Sequence, residues 1–162
     1  MIQTDPGSFR DPSGFVYRRD GTLLRQIRSN FAKEWTDLAG SGFLARLQAQ
    51  RALVGHELVD VPSYAADSTD AFAVLRPEVV DFISYPYEWS FGQLKDAALL
   101  TLDVQALAME AGFTLRDATA YNVQYRHGRP ILIDTLSFER ATPGAPWAAY
   151  RQFCEHLLAP RA

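Results

Sequence analysis

An α+β fold is predicted from three observations. Two strand-like runs flank Asp20-Gly21, apolar residues between Asn30 and Leu53 recur at helical spacing, and Ser90 with Gln93 opens a long apolar stripe that closes at Gly112. The strand signals gather toward the front of the chain and the strongest helical ones toward the rear. The expected organisation is a small β-rich lobe with helices over residues 1–84, and a partial helical lobe over 85–162, joined through Tyr85-Pro-Tyr-Glu-Trp89.

Each element has a local cause. Residues 14–19 and 22–27 form the arms of a hairpin, because Asp-Gly supplies the positive φ angles of a two-residue turn. Phe31, Trp35 and Leu38, then Phe43, Leu44, Leu47 and Leu53, predict two helices broken at Gly40-Ser-Gly42. Residues 62–70 carry turn formers without periodicity and read as a surface loop, and 71–75 and 79–85 read as two short strands. Ser90 and Gln93 form a capping-box pair for a helix lined by Leu94, Ala97, Ala98, Thr101, Val104 and Ala108. A second hairpin is expected around His127-Gly128-Arg129, with arms over 122–126 and 130–134. Beyond Pro143-Gly-Ala-Pro146, the residues Trp147, Tyr150, Phe153, Cys154, Leu157 and Leu158 share one helical face.

Composition narrows the function classes. Among 162 residues, 48% hydrophobic content supports a real core, and a formal charge of −3 lacks the positive field that nucleic acid or an anionic membrane surface requires. Neither partner is expected. Cys154 is the single cysteine, which excludes an intrachain disulfide and a cysteine-rich zinc site and fits a reducing cytoplasm. No apolar run reaches bilayer-spanning length. The excess of arginine over lysine, 14 to 2, fits phosphate or carboxylate recognition, but a bias of base composition explains it more cheaply. Arg10, Arg18, Arg19, Arg25 and Arg28 are interleaved with Asp5, Asp11 and Asp20, the pattern of a solvated face. His56, His127 and His156 share no metal-ligand spacing, and Ser137 lacks the glycine elbow of a nucleophilic serine.

Chemistry concentrates between residues 112 and 138. In Leu115-Arg-Asp-Ala-Thr-Ala-Tyr-Asn122, Asp117 stands five positions before Asn122, and Asp134 follows two aliphatic residues at the end of the next predicted hairpin. A loop carboxylate suits acceptance of a hydroxyl proton, while an amide and a second carboxylate are hard oxygen ligands for Mg²⁺. The alternative for the first two is that Asp117 and Asn122 each close a local turn.

The Arg-Asp-x-x-x-x-Asn run, the hairpin and the apolar-apolar-Asp sequence resemble the catalytic segment of protein kinases and of small-molecule kinases related to aminoglycoside phosphotransferases. That resemblance implies Asp117 as catalytic base, Asn122 and Asp134 as metal ligands, and Mg²⁺ with ATP as cofactors. It also implies a hinge beside the adenine at 85–89, which includes Glu88, and Arg25 in place of the strand lysine, partnered by Glu34 or Glu57. The chain departs from the kinase pattern at several points. Leu115 replaces the histidine before Arg-Asp, Thr135-Leu136 replaces Phe-Gly, and the front hairpin has only Gly14 and Gly21. Lys33 and Lys95 both fall in predicted helices, and most rear helices of a complete kinase are missing.

A second resemblance spans the chain. The strings Ser8-Phe-Arg-Asp-Pro-Ser-Gly14, Tyr85-Pro-Tyr-Glu-Trp-Ser-Phe91, Ile133-Asp-Thr-Leu-Ser-Phe-Glu139 and the segment 147–160 are similar to the N-terminal region of bacterial class I S-adenosylmethionine-dependent methyltransferase proteins, some of them nodulation-related. It implies a fragment whose methyltransferase domain lies further along the parent chain. S-adenosylmethionine is not expected here, since Gly112 ends a helix and Gly40-Ser-Gly42 lies between helices. Two functions follow: a Mg-ATP-dependent phosphotransferase with a small-molecule or nucleotide ligand, acting on a hydroxyl acceptor that the sequence does not specify, or a non-enzymatic pseudokinase-like support for that further domain, with an exposed docking face near Trp147 and Phe153.

Overall fold

The computed structural model describes residues 1–8 and 11–159. Arg10, and Pro160 at the end of the last predicted helix, lie outside the described residues. Strands β1 (Ile2–Thr4), β2 (Gly14–Arg19) and β3 (Thr22–Arg28) precede helices α1 (Ala32–Gly40) and α2 (Phe43–Ala49). Strand β4 (His56–Val59), the one-turn helix α3 (Val61–Tyr64) and β5 (Ala71–Pro77) follow. The remainder comprises helix α4 (Phe91–Glu110), β6 (Phe113–Leu115), β7 (Val123–Arg126), β8 (Arg129–Leu132), β9 (Phe138–Arg140) and helix α5 (Tyr150–Phe153). The predicted α+β class is the one observed. The chain divides into two compact units, Met1–Asp37 with Gly55–Val79 and Leu38–Val54 with Val80 onward.

The first unit is an antiparallel sheet in the order β1-β2-β3-β5-β4. Asp20 and Gly21 have φ of 50° and 85°, and Arg19 faces Thr22 across them, so the predicted two-residue turn is present. Tyr17, Leu24 and Val74 pack with Ala65 to form a small core. Gln26 is fully buried on β3 yet satisfied: its carbonyl accepts the Ala66 and Asp67 amides at 2.9 and 3.1 Å, and its amide donates to the Asp67 carbonyl at 2.9 Å. This one side chain holds the segment read as a free surface loop. Part of that segment is helical instead, because the Ser63 amide donates to the Asp60 carboxylate at 3.0 Å and Pro62 sits in the first turn of α3.

Two strand expectations change. Residues 79–85 are not a strand; Val79, Phe82, Ile83 and Tyr85 are exposed, and β5 instead runs on to Pro77. Its outer neighbour is β4, which was not predicted: His56 faces Pro77 and Val59 faces Val74, and the Glu78 amide donates to the Gly55 carbonyl at 2.8 Å as the ladder closes. With β3 on one side and β4 on the other, β5 offers no free edge to residues 79–85.

The second unit is built around α4. The Gln93 amide donates to Ser90 Oγ at 3.3 Å and the Ser90 amide to Gln93 Oε1 at 2.9 Å, the predicted capping box. The helix ends at Gly112, whose φ of 79° only glycine adopts cheaply. Helix α2 starts after Gly42, and its Phe43 lies parallel to Phe113 at 6.0 Å and edge-on to Phe138 at 5.1 Å. Phe113 and Phe138 belong to β6 and β9, an antiparallel pair absent from the sequence reading. The second hairpin is present with a tighter turn than expected: Arg126 faces Arg129 across His127 and Gly128, both at positive φ. The last helix is α-helical only to Phe153 and continues as a π-type turn over Cys154–Leu158, where the Ala159 amide reaches the Cys154 carbonyl at 2.8 Å.

Candidate catalytic loop and metal-ligand pair

The site is built by the β7–β8 hairpin. Pairing of Val123 with Leu132 brings the residue before β7 beside the residue after β8, and the Ile133 amide donates to the Asn122 carbonyl at 2.8 Å. Asn122 and Asp134, twelve positions apart in sequence, thus become spatial neighbours. Ser137 joins their side chains. Its hydroxyl donates to Asp134 Oδ2 at 2.6 Å and accepts from Asn122 Nδ2 at 3.2 Å, while the Leu136 amide donates to Asp134 Oδ1 at 3.0 Å. Asn122 and Asp134 are half-buried, and Ser137 is buried with 1% exposure.

This network sets which atoms face a cation. Donation from Asn122 Nδ2 to Ser137 turns the Asn122 amide carbonyl away from the hydroxyl, and the two Asp134 oxygens accept from Leu136 and Ser137. Two hard oxygen donors fit Mg²⁺, which keeps several waters and completes its shell with phosphate oxygens. Among the described residues no group of three or more His, Cys, Asp or Glu side chains is placed to hold a metal.

Asp117 opens the turn that leads to Asn122. The Thr119 amide donates to Asp117 Oδ1 at 3.1 Å, and the Asn122 amide donates to the Thr119 carbonyl at 3.1 Å. The turn-forming alternative for Asp117 is therefore realised, and it leaves the same carboxylate half-buried on the loop. Arg116 ties this loop to the metal-ligand segment: its amide donates to the Ser137 carbonyl at 2.9 Å, and its Nε to the Leu136 carbonyl at 3.1 Å. The rear helical segment adds two further bonds. Ala118 N–H donates to Gln152 Oε1 at 2.7 Å, and Thr119 Oγ1 lies 2.7 Å from His156 Nδ1.

Ser137, Gln152 and His156 were missed by the sequence reading. Ser137 was weighed only as a nucleophile and His156 only as a metal ligand. The available signal was the Gln152–His156 spacing of four, which places both on one helical face.

The 84–89 segment is rigidly held within the second unit. Buried Gln124 accepts the Ser84 amide and donates to the Ser84 carbonyl, both at 3.0 Å, and Trp89 Nε1 donates to Ser84 Oγ at 2.8 Å. Glu88 is exposed, and its Oε2 accepts the Tyr85 amide at 2.7 Å, so it caps the turn Pro86–Glu88. Tyr85 and Tyr87 stack at 5.4 Å with an interplanar angle of 3°. Tyr125 packs edge-on to Trp89 and donates its hydroxyl to the Gln93 carbonyl. Burial, and next the Asp96 carboxylate, push the Tyr125 phenol up to about 12.

A raised phenol favours the folded state until the unfolded chain ionises. Stability from Tyr125 is present below about pH 10, the ordinary tyrosine value, and is lost as pH rises toward about 12. Urea midpoints measured across that window are expected to fall more steeply for the wild type than for Tyr125→Phe; parallel profiles would refute the burial argument.

Arg25 stands in the first unit on β3, buried at 8% exposure, with Nη2 3.8 Å from Asp11 Oδ2. Burial, and next the Arg25 charge, hold His56 below the usual histidine range. The expected Arg25–Glu57 pair is not formed, because the Arg76 guanidinium on the neighbouring strand binds Glu57 Oε1 at 2.6 Å. The face expected to be exposed near Trp147 and Phe153 is covered in part. Phe153 and Leu157 are buried, Trp147 is half-buried with Nε1 donating to the Leu115 carbonyl at 2.8 Å, and of the stripe Tyr150 and Leu158 remain exposed.

No protein-family profile matches the chain. Nodulation protein NoeA of Rhizobium meliloti (strain 1021) is 38% identical over 154 residues, which cover 95% of this chain and 32% of that protein. The chain therefore spans about a third of the length of this relative. Among solved structures, vaccinia related kinase 3 aligns with a TM-score of 0.48 and 14% identity, covering 86% of this chain and 51% of that one. No helix among the described residues is long and apolar enough to cross a membrane.

Proposed function

We propose that the chain is a kinase-like module that binds Mg²⁺-ATP at Asn122 and Asp134 and transfers phosphate to a hydroxyl of a small molecule in the cytoplasm, with Asp117 as general base. The single observation behind this reading is the Ser137 hydroxyl, which joins Asn122 and Asp134 in one hydrogen-bond network. Outer partners that orient metal ligands in this way are a recurrent feature of cation sites. When bound, Mg²⁺ would neutralise phosphate charge and fix the nucleotide's orientation. The chain's own share is positional. Asp134 and Asn122 present oxygens, and Asp117 holds one carboxylate oxygen on the Thr119 amide and offers the other to the acceptor hydroxyl. The turn capped by Glu88 would flank the adenine, and S-adenosylmethionine has no place in this reading.

A second reading has its own support. Both Asp134 oxygens already accept bonds from the protein, at Leu136 and Ser137, and the related nodulation protein is about three times as long as the matched region. On this reading the network is structural and the module supports a further domain, of methyltransferase type, elsewhere in the parent chain.

Thermal unfolding with and without Mg-ATP separates the two. Nucleotide at roughly 100 times its dissociation constant should add about 2.7 kcal/mol, a rise of several degrees at roughly 2 to 4 °C per kcal/mol. The shift is expected to require Mg²⁺ and to vanish in Asp134→Ala. No shift in the wild type would sink the nucleotide reading and leave the supporting module.

A further inference from the structure

We propose that Gln152 and His156, on the rear helical segment, are positioning residues that set the Asp117 loop for proton acceptance, an inference that rests on the phosphotransfer reading above. Two bonds carry it. Gln152 Oε1 accepts the Ala118 N–H at 2.7 Å, and His156 Nδ1 meets Thr119 Oγ1 at 2.7 Å, so the two residues directly after Asp117 are both fixed by one helical face. The Thr119 amide in turn donates to Asp117 Oδ1 at 3.1 Å. Any movement of Thr119 is thereby passed to the carboxylate.

Thr119 Oγ1 is held from two sides, accepting the Tyr121 amide at 3.4 Å and sharing a hydrogen bond with His156 Nδ1. The Tyr121 ring stands edge-on to the imidazole at 6.4 Å.

The local backbone explains why this helix reaches the loop. Phe153 and Leu157 are buried, which anchors one face of the segment, and the change from α to π geometry at Cys154 leaves Gln152 and His156 on the loop side. Single π turns are frequent at functional sites. Gln152 and His156 make no described hydrogen bond to the Asn122 or Asp134 side chains, while the Asn122 amide donates to the Thr119 carbonyl, so their effect falls first on the Asp117 turn and only secondarily on nucleotide binding.

The test uses the full chain with Mg-ATP and water as the acceptor. The water oxygen bonds to the γ-phosphorus, the bond to the ADP oxygen breaks, and the water proton passes to Asp117 and then to solvent, giving ADP and inorganic phosphate. Gln152→Ala and His156→Ala are expected to lower turnover by up to about 100-fold, the scale of a misplacement near 1 Å. The Mg-ATP concentration for half-maximal rate and the Mg-ATP thermal shift should change much less than turnover, since the Asn122 amide is the one link from Thr119 to the proposed metal ligands among the described hydrogen bonds. Gln152→Glu and His156→Asn, which retain an acceptor at the same place, should recover most of the rate. Equal loss of rate and of nucleotide binding, or failure of the acceptor-bearing variants to recover a rate that the alanines lose, would overturn the positioning role. So would alanine variants as active as the wild type, with the phosphotransfer reading left standing. A wild type that shows no Mg-ATP shift and no phosphate release overturns both.

Discussion

Replacing Phe43 by alanine is expected to destabilise the second unit by about 3 to 5 kcal/mol, the range for deleting a fully buried phenyl group. Phe43 is 2% exposed, lies parallel to Phe113 with an interplanar angle of 12°, and meets Phe138 edge-on at 90°. Both geometries suit the ring quadrupole and add about 0.5 to 1.5 kcal/mol per pair beyond burial. The cavity has little freedom to collapse. Phe113 and Phe138 sit on strands that pair with each other, Arg140 packs on the Phe113 ring at 4.5 Å, and Leu44 and Leu47 fix α2 from its other buried positions. For a domain whose total stability is about 5 to 15 kcal/mol, this is a large fraction. Urea unfolding at constant slope is the measurement, and a loss below about 1 kcal/mol would mean that α2 does not pack on β6 and β9 in solution.

The same aromatic cluster shows where sequence reading reaches its limit. Phe43 was legible as the start of a helix, because Gly42 supplies φ of 76° just before it and Leu44 and Leu47 repeat at helical spacing. Its partners were not, since β6 and β9 are three residues each, too short for alternation to declare them. The two hairpins and the α4 cap were readable for the opposite reason: Asp20-Gly21, His127-Gly128 and Ser90 with Gln93 encode their own backbone geometry within four residues. Residues 79–85 look like a strand by composition, yet β5 just before them is already paired with β3 on one side and β4 on the other and offers them no edge. The hairpin read between Asn122 and Asp134 is the element that brings these two residues together. The bond that unites them came from Ser137, whose role depends on the chain folding back after β8 and has no local signature.

Ser137→Ala should therefore separate the two readings of the site most sharply. Loss of the hydroxyl leaves Asn122 Nδ2 and Asp134 Oδ2 without their shared partner in a pocket where Ser137 is 1% exposed, an expected destabilisation of about 1 to 3 kcal/mol. That loss follows on either reading and is seen by urea unfolding. The phosphotransfer reading adds a second consequence. Without Ser137 the Asn122 amide is no longer held with its carbonyl toward the cation, and Mg-ATP affinity should fall by about 10- to 100-fold, as for other outer partners of metal ligands. Because Ser137 bonds Asn122 as well as Asp134, Ser137→Ala should cost less Mg-ATP affinity in an Asn122→Ala background than in the wild type, the non-additivity of residues in one network. Fully additive losses would show that Ser137 does not orient Asn122. A destabilised Ser137→Ala protein with wild-type nucleotide affinity would show that the network serves the fold and that phosphate chemistry lies outside it.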